Sequence, residues 1–251
     1  MSDLFGHPIL TVRIHAGFNA NSFLAGLLAL TGQTAGTAES YMRCRFPKMD
    51  AHIAFGPRSV NGILGWTLNI VTPHEHAHRT PADIRHIYDE STLSDVAKEK
   101  ALAIWKVLSE AEARVHGTTV EHIHFHEVGR MANILAIGLI ADFMSTIAPR
   151  ALVASPIPLT DGTVHCAHGV VPYPAPAMFA MMENVAVRPW AGEGEPVTPT
   201  GLAVLIGLGA TFGGWPAMTI TERVTVFTPK VFEGVANGTL FAFGQPTPAD
   251  A

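Results

Sequence analysis

The chain is short of cysteine and of charge. Cys44 and Cys166 are its only cysteines in 251 residues. They are far apart and form no CxxC pair, so neither a disulfide framework nor a thiol-rich metal cluster is expected, and a reducing, cytosolic setting follows. Charged residues make up 15% of the chain and the formal net charge is -5, with no run of Lys or Arg. That excludes a surface built to track nucleic-acid phosphates. The first residues lack the charged and apolar regions of a signal peptide. The most apolar stretch, 133–147, contains Asp142 and is shorter than the ~20 residues a membrane span needs. The expectation is a cytoplasmic protein with neither a nucleic-acid nor a membrane partner. Three common site signatures are also missing: G-x-S-x-G, the phosphate-binding glycine loop and the dinucleotide fingerprint.

What is abundant is apolar residues, at 48%, and histidine, at 13 residues. The first supplies core for one large or two small domains and makes self-association into a homo-oligomer an expectation. The second is concentrated. Residues 122–127 read HIHFHE. If that stretch is extended, His122, His124 and His126 share one face, and Ile123 and Phe125 share the other. Neutral imidazole is the commonest protein metal ligand and suits Zn, Cu, Fe and Ni. The plainer reading is a half-buried strand whose polar side meets a helix. A second run, His74, His76 and His78, reads as a solvated loop that could also collect metal ions.

The periodicities predict an α/β fold, a mixed sheet flanked by helices. A strand over 9–14 leads through a turn into a helix capped by Asn21 or Ser22. The block 49–71 alternates like strands. Thr80, Pro81 and Asp83 open a helix. Ser94 caps the clearest helix, whose stripe Ala97, Ala101, Ile104, Leu108, Ala111, Val115 ends at Gly117. A buried helix over 133–147 follows, then a strand over 152–159, a long loop over 160–176, a helix over 177–183, an apolar helix capped by Thr200, and strands within 218–243. The main region spans 1–244, with subdomains about 1–72 and 80–244. Residues 245–251 are expected to be a disordered tail.

Four blocks, taken in order, resemble one family. Residues 124–129 read HFHEVG. Residues 74–87 give a His-rich segment followed by R-x-x-x-D-I-R from Arg79. Residues 166–177 read CAHGVVPYPAPA, and residues 198–201 read TPTG. Together they are similar to the LarC nickel-insertion proteins. The resemblance covers roughly residues 9–220. It implies insertion of nickel into a pyridinium bisthiocarboxylate mononucleotide, with CTP hydrolysed beside a divalent metal such as Mn. It further implies a C-terminal region for Mn and CTP, to be supplied here by a separate chain of that type.

On that resemblance, His124, His126 and Glu127 would hold Ni(II) or another divalent transition metal. Glu127 would carry the catalysis, and Cys166 and His168 would assist. The helix start at Thr198, Thr200 and Gly201 would hold the phosphate of a small anionic mononucleotide. The bland alternatives are a small buried Cys, a turn His and an ordinary helix cap. The sequence also departs from the family. Acidic positions of its opening motif are occupied by Arg13 and Asn21, and two more carboxylates by Ala132 and Ala136. Carboxylates are what a hard metal–nucleotide needs, whereas Arg13 with His15 and Asn21, at the end of the first strand, would attract an anion. Three readings stand: a nickel-insertion subunit, a divergent relative that only binds metal or a partner, and an enzyme with changed chemistry on an anionic small molecule.

Overall fold

The computed structural model describes residues 7–75, 78–166 and 168–247. In chain order, β1 (Ile9–Ala16) is followed by helices α1 (Ala20–Leu30) and α2 (Ala35–Arg45). The hairpin β2 (His52–Val60) and β3 (Ile63–Val71) leads to α3 (Pro81–Asp89), α4 (Asp95–His116) and α5 (Met131–Ile147). Next come β4 (Ala151–Ala154), β5 (Ile157–Leu159), β6 (Gly162–Cys166), β7 (Gly169–Tyr173), α6 (Pro176–Ala180) and β8 (Val187–Pro189). The chain continues through α7 (Pro199–Gly207), β9 (Thr211–Phe212), β10 (Met218–Val226) and β11 (Gly238–Pro246).

Among the described residues, seven strands form one mixed sheet in the order β2-β3-β10-β11-β1-β4-β9. β1 lies at its heart, antiparallel to β11 and parallel to β4. The α/β expectation holds. β1 alternates: Leu10, Val12 and Ile14 enter the main core under α1 and α5, while Arg13 lies beside Leu240 on the other face. That other face stays open, with exposed Leu64, Trp215 and Ile220. No helix among the described residues is long and apolar enough to cross a membrane.

The helical layer is tied by a buried relay. Trp105 of α4 donates its indole N–H to the Tyr88 hydroxyl at 2.7 Å, and Tyr88 of α3 donates to the Ile134 carbonyl of α5 at 2.9 Å. Asp142, the charge in the apolar stretch, is buried on α5 and accepts from Arg45 and Tyr41 of α2.

Several local expectations are corrected. Residues 122–127 are not a strand. The segment makes a single bridge, Phe125 with Arg79, between 3-10 turns at Val120–His122 and Glu127–Gly129. The cap of α1 is Asn19, whose side chain accepts from the Ser22 amide. The cap of α7 is Thr198, not Thr200. The stretch 152–159 is two short strands, and β6 and β7 pair as a hairpin where a loop was expected. α2 was not anticipated.

Candidate functional site

Phe125 is the anchor of the histidine segment. It is 1% exposed and its ring stands 5.2 Å from Trp105. Ile123 is also buried, while His122 and His124 are exposed and His126 is half-buried. The in-and-out alternation thus survives without a strand, because two apolar side chains pull the segment onto α4. Its other edge is fixed by Glu75 and Arg79. Arg79 exchanges backbone hydrogen bonds with Phe125 and donates a guanidinium N–H to the Gly129 carbonyl at 2.7 Å. Glu75 accepts from Arg79 and from the Met131 amide at the start of α5. Burial opposes ionisation of Glu75, but these donors outweigh it and hold its carboxyl below the usual range. Glu75 is therefore a structural clamp.

The clamp aims His126 at other imidazoles. Its ring stands 4.7 Å from that of His78 and 5.9 Å from that of His168, edge-on to both. His168 follows β6 at the tip of the hairpin, and its ring is 5.0 Å from that of His116 at the end of α4. A cavity of about 240 Å³ is lined by His124, His126, Glu127, Cys166 and His168, joined by Glu112 and His116. Among the described residues, no three His, Cys, Asp or Glu side chains converge tightly enough, as they stand, to hold one ion.

A second cleft adjoins it, lined by Glu127, Cys166, Asn19, Asn21, Thr198 and Thr200, with Glu195. Here two helix starts are drawn together. The amides of Gly17 and Phe18 donate to the Pro196 carbonyl at 2.9 Å, and the Thr198 amide donates to the Phe18 carbonyl at 3.0 Å. The Thr198 hydroxyl meets that of Thr200 at 2.9 Å and accepts from the Gly201 amide at 3.3 Å. Asn21 Oδ1 is buried without a hydrogen-bond partner. Burial pushes the Glu195 carboxyl up to about 7, although Lys230 opposes this. Glu127 also borders a third cavity with Asn21, His74, Arg130 and Ala132.

The remaining expected residues lie elsewhere. Arg13 is turned to the open face of the sheet. It donates to the Gly214 and Gly213 carbonyls at 3.0 and 2.9 Å and sits over the Trp215 ring. Two of its five donors are taken by these carbonyls, and it lines neither cleft. Burial and the cations of Arg188 and Arg13 hold the neighbouring His15 below its ordinary value. Gly201 is where α7 touches residues 18–19, so its lack of a side chain serves packing. His76 lies outside the described residues. Glu112, His116, Glu195 and Asn19 were not anticipated. Of these, only Asn19 carried a local signal, an Asn three residues before Ser22.

The chain is similar to known proteins over most of its length. The family described as nickel insertion protein matches residues 10–239. A protein of Geobacter metallireducens is 37% identical over 229 residues, covering 91% of this chain and 59% of its own. The pyridinium-3,5-bisthiocarboxylic acid mononucleotide nickel insertion protein of Staphylococcus epidermidis is 35% identical over 208 residues, 82% of this chain and 52% of its own. The protein of that name from Akkermansia muciniphila is 35% identical over 205 residues, 77% of this chain and 49% of its own. The chain thus spans between about half and three fifths of the length of these relatives. No solved structure matches.

Proposed function

This chain belongs to the nickel insertion protein family, and from that premise we propose that it holds Ni(II) for transfer into a pyridinium-3,5-bisthiocarboxylic acid mononucleotide, the substrate named for its relatives. One observation carries the reading. Glu127 borders both the cavity of imidazoles and a thiol and the cleft where two helix starts meet. Nitrogen and sulfur ligands suit nickel. A helix N-terminus suits the substrate's phosphate. His126, His168, Cys166 and His124 hold the ion, and Glu127, at the boundary, guides it across. Thr198 and Thr200 place the phosphate, and Asn21 offers an acceptor to the sugar. His74 and His78 gather the ion at the rim. Nickel is cargo here, so a loose set of donors is apt: an ion locked in a closed shell is not released to the substrate's thiocarboxylates.

The residues do not fit a manganese–CTP complex, which needs several oxygen ligands. Where the family pattern has carboxylates, this chain has Arg13, bound to carbonyls, Asn21, Ala132, and Ala136, which lies in the core at 0% exposure. In this reading a nucleotide step draws on a region of the family's C-terminal type, in the same protein or on a separate chain. The same four positions favour a second reading, a relative that binds metal without inserting it.

The test is an insertion assay with purified chain, Ni(II) and the mononucleotide, run with and without a C-terminal-type chain from a relative. Nickel in the product, lost on Glu127→Ala, supports the first reading. Stoichiometric nickel binding with no insertion in either mixture replaces it with the second.

A further inference from the structure

Glu112 and His116 sit one turn apart on α4, with the His116 Nε2 3.4 Å from a Glu112 carboxylate oxygen. An exposed pair at this spacing is an ordinary helix ornament. This one is not exposed on its acidic side. The Glu112 side chain is 17% exposed, at the end of a helix whose carbonyls already make the region negative. A carboxylate in that position is expensive unless a cation joins it. The groups that face it are three imidazoles, His116, His168 and His126. All four line the same cavity beside Cys166 and Glu127.

We propose that Glu112, His116 and His168 form a nickel-receiving site on α4, from which the ion passes to His126 and Glu127. The inference rests on the nickel-transfer reading and adds two residues and a direction to it. Two imidazoles sharing one ion, with metal–nitrogen bonds of about 2.1 Å, have ring centroids roughly 4.5–6.4 Å apart. The His116–His168 and His168–His126 separations, 5.0 and 5.9 Å, both fall in that interval. His168 is thus within reach of either neighbour and can hand an ion from one to the other by turning its ring. The His116 side chain is 40% exposed, so the receiving end opens to solvent. Glu112 supplies the negative charge that draws a divalent ion in, and His116 and His168 supply the nitrogen that selects a transition metal over Mg. No covalent or redox step is involved. The ion exchanges one set of ligands for the next.

Ni(II) alone is the probe, titrated calorimetrically into the full chain, with Co(II) absorption as a second readout of the ligand set. The variants are Glu112→Gln, His116→Gln and His126→Ala. The first two keep side-chain volume, and melting curves check their fold. The expected result is an affinity lowered at least tenfold in Glu112→Gln and His116→Gln, a changed Co(II) band in His116→Gln, and slower delivery of nickel to a chromophoric chelator. Wild-type affinity and spectrum in both, with His126→Ala weakened, overturn this inference and leave the cleft reading intact. Wild-type affinity in all three overturns both.

Discussion

Gly201 and Phe18 are in such close contact that a Cβ at position 201 would stand 2.9 Å from the Phe18 carbonyl oxygen. The obstacle is backbone, which cannot swing aside as a side chain would. This contact joins the start of α7 to the turn before α1, and it sets the width of the cleft between Asn21 and Thr200. Gly201→Ala should therefore destabilise the chain by about 1–3 kcal/mol through overpacking. Urea denaturation reads the loss. The same variant should weaken binding of a mononucleotide more than binding of Ni(II), because the imidazole cavity lies on the other side of Glu127. Equal losses would mean that the two cavities are not separable.

His126 meets two other rings, His78 and His168, whereas His78 meets only His126 among the described rings. Removing His126 should cost more nickel affinity than removing His78. His126→Ala is expected to lower Ni(II) affinity by about tenfold to a hundredfold, and His78→Ala by less, since His78 is fully at the rim. Calorimetric titration at low ionic strength compares them. A larger loss from His78→Ala would move the centre of the site to the rim loop.

Asp142 carries the link between α2 and α5. Its side chain is 6% exposed and accepts from Arg45, which keeps 31% of its own side chain in solvent, and from the Tyr41 hydroxyl. Burial and Asp142 together raise the Tyr41 phenol well above its ordinary value. Asp142→Ala leaves both donors facing an apolar wall. The expected cost is about 2–3 kcal/mol, below the ~3–5 kcal/mol of a fully buried pair because Arg45 recovers water. Asp142→Asn, which keeps one acceptor oxygen for the two donors, should cost less. Thermal unfolding of the two variants orders them.

Much of this fold was legible because local chemistry and tertiary placement agree. Ser94 accepts from the Ala97 amide, Gly117 takes the left-handed conformation at φ 60°, and the stripe between them is buried from Ala97 to Ala111, with only its last member, Val115, exposed. α2 was not legible. Only Ala38 and Met42 of its eleven residues are buried, so it has no stripe to read, and its start rests on a Thr34–Thr37 capping box. The histidine segment was half legible. The burial of Ile123 and Phe125 follows from alternation, but pairing stops at one bridge because the chain turns at once into Glu127–Gly129, where Gly129 packs against Phe125. Arg13 was misplaced although its strand held the answer: it alternates with Val12 and Ile14, which face the helices. Glu112 and His116 had no signal. They sit on the polar side of a helix and gain meaning only when a hairpin fifty residues later brings His168 beside them.

Glu195 makes the cleft sensitive to pH near neutrality. Its carboxyl is pushed from 4.5 up to about 7, chiefly by burial, with Lys230 pulling it back. The folded state therefore holds a proton that the unfolded chain releases. This contribution to stability is complete below pH 4.5 and declines as the pH rises through about 7. At pH 8.5 the folded chain carries a buried carboxylate, at a cost of up to about 3 kcal/mol, taking about 1.4 kcal/mol per pH unit. Glu195→Gln keeps the shape and removes the charge. The variant should match the parent near pH 4.5 and exceed it at pH 8.5, with the gap opening between. Urea denaturation at four pH values across that range measures it. The charge also bears on the ligand, because an ionised Glu195 shares the cleft with Thr198 and Thr200 and repels a phosphate. Mononucleotide affinity should fall as the pH rises through 7 in the parent and stay nearly flat in Glu195→Gln. A stability gap that is the same at every pH would show that Glu195 is charged throughout, paired with Lys230, and that the cleft does not titrate.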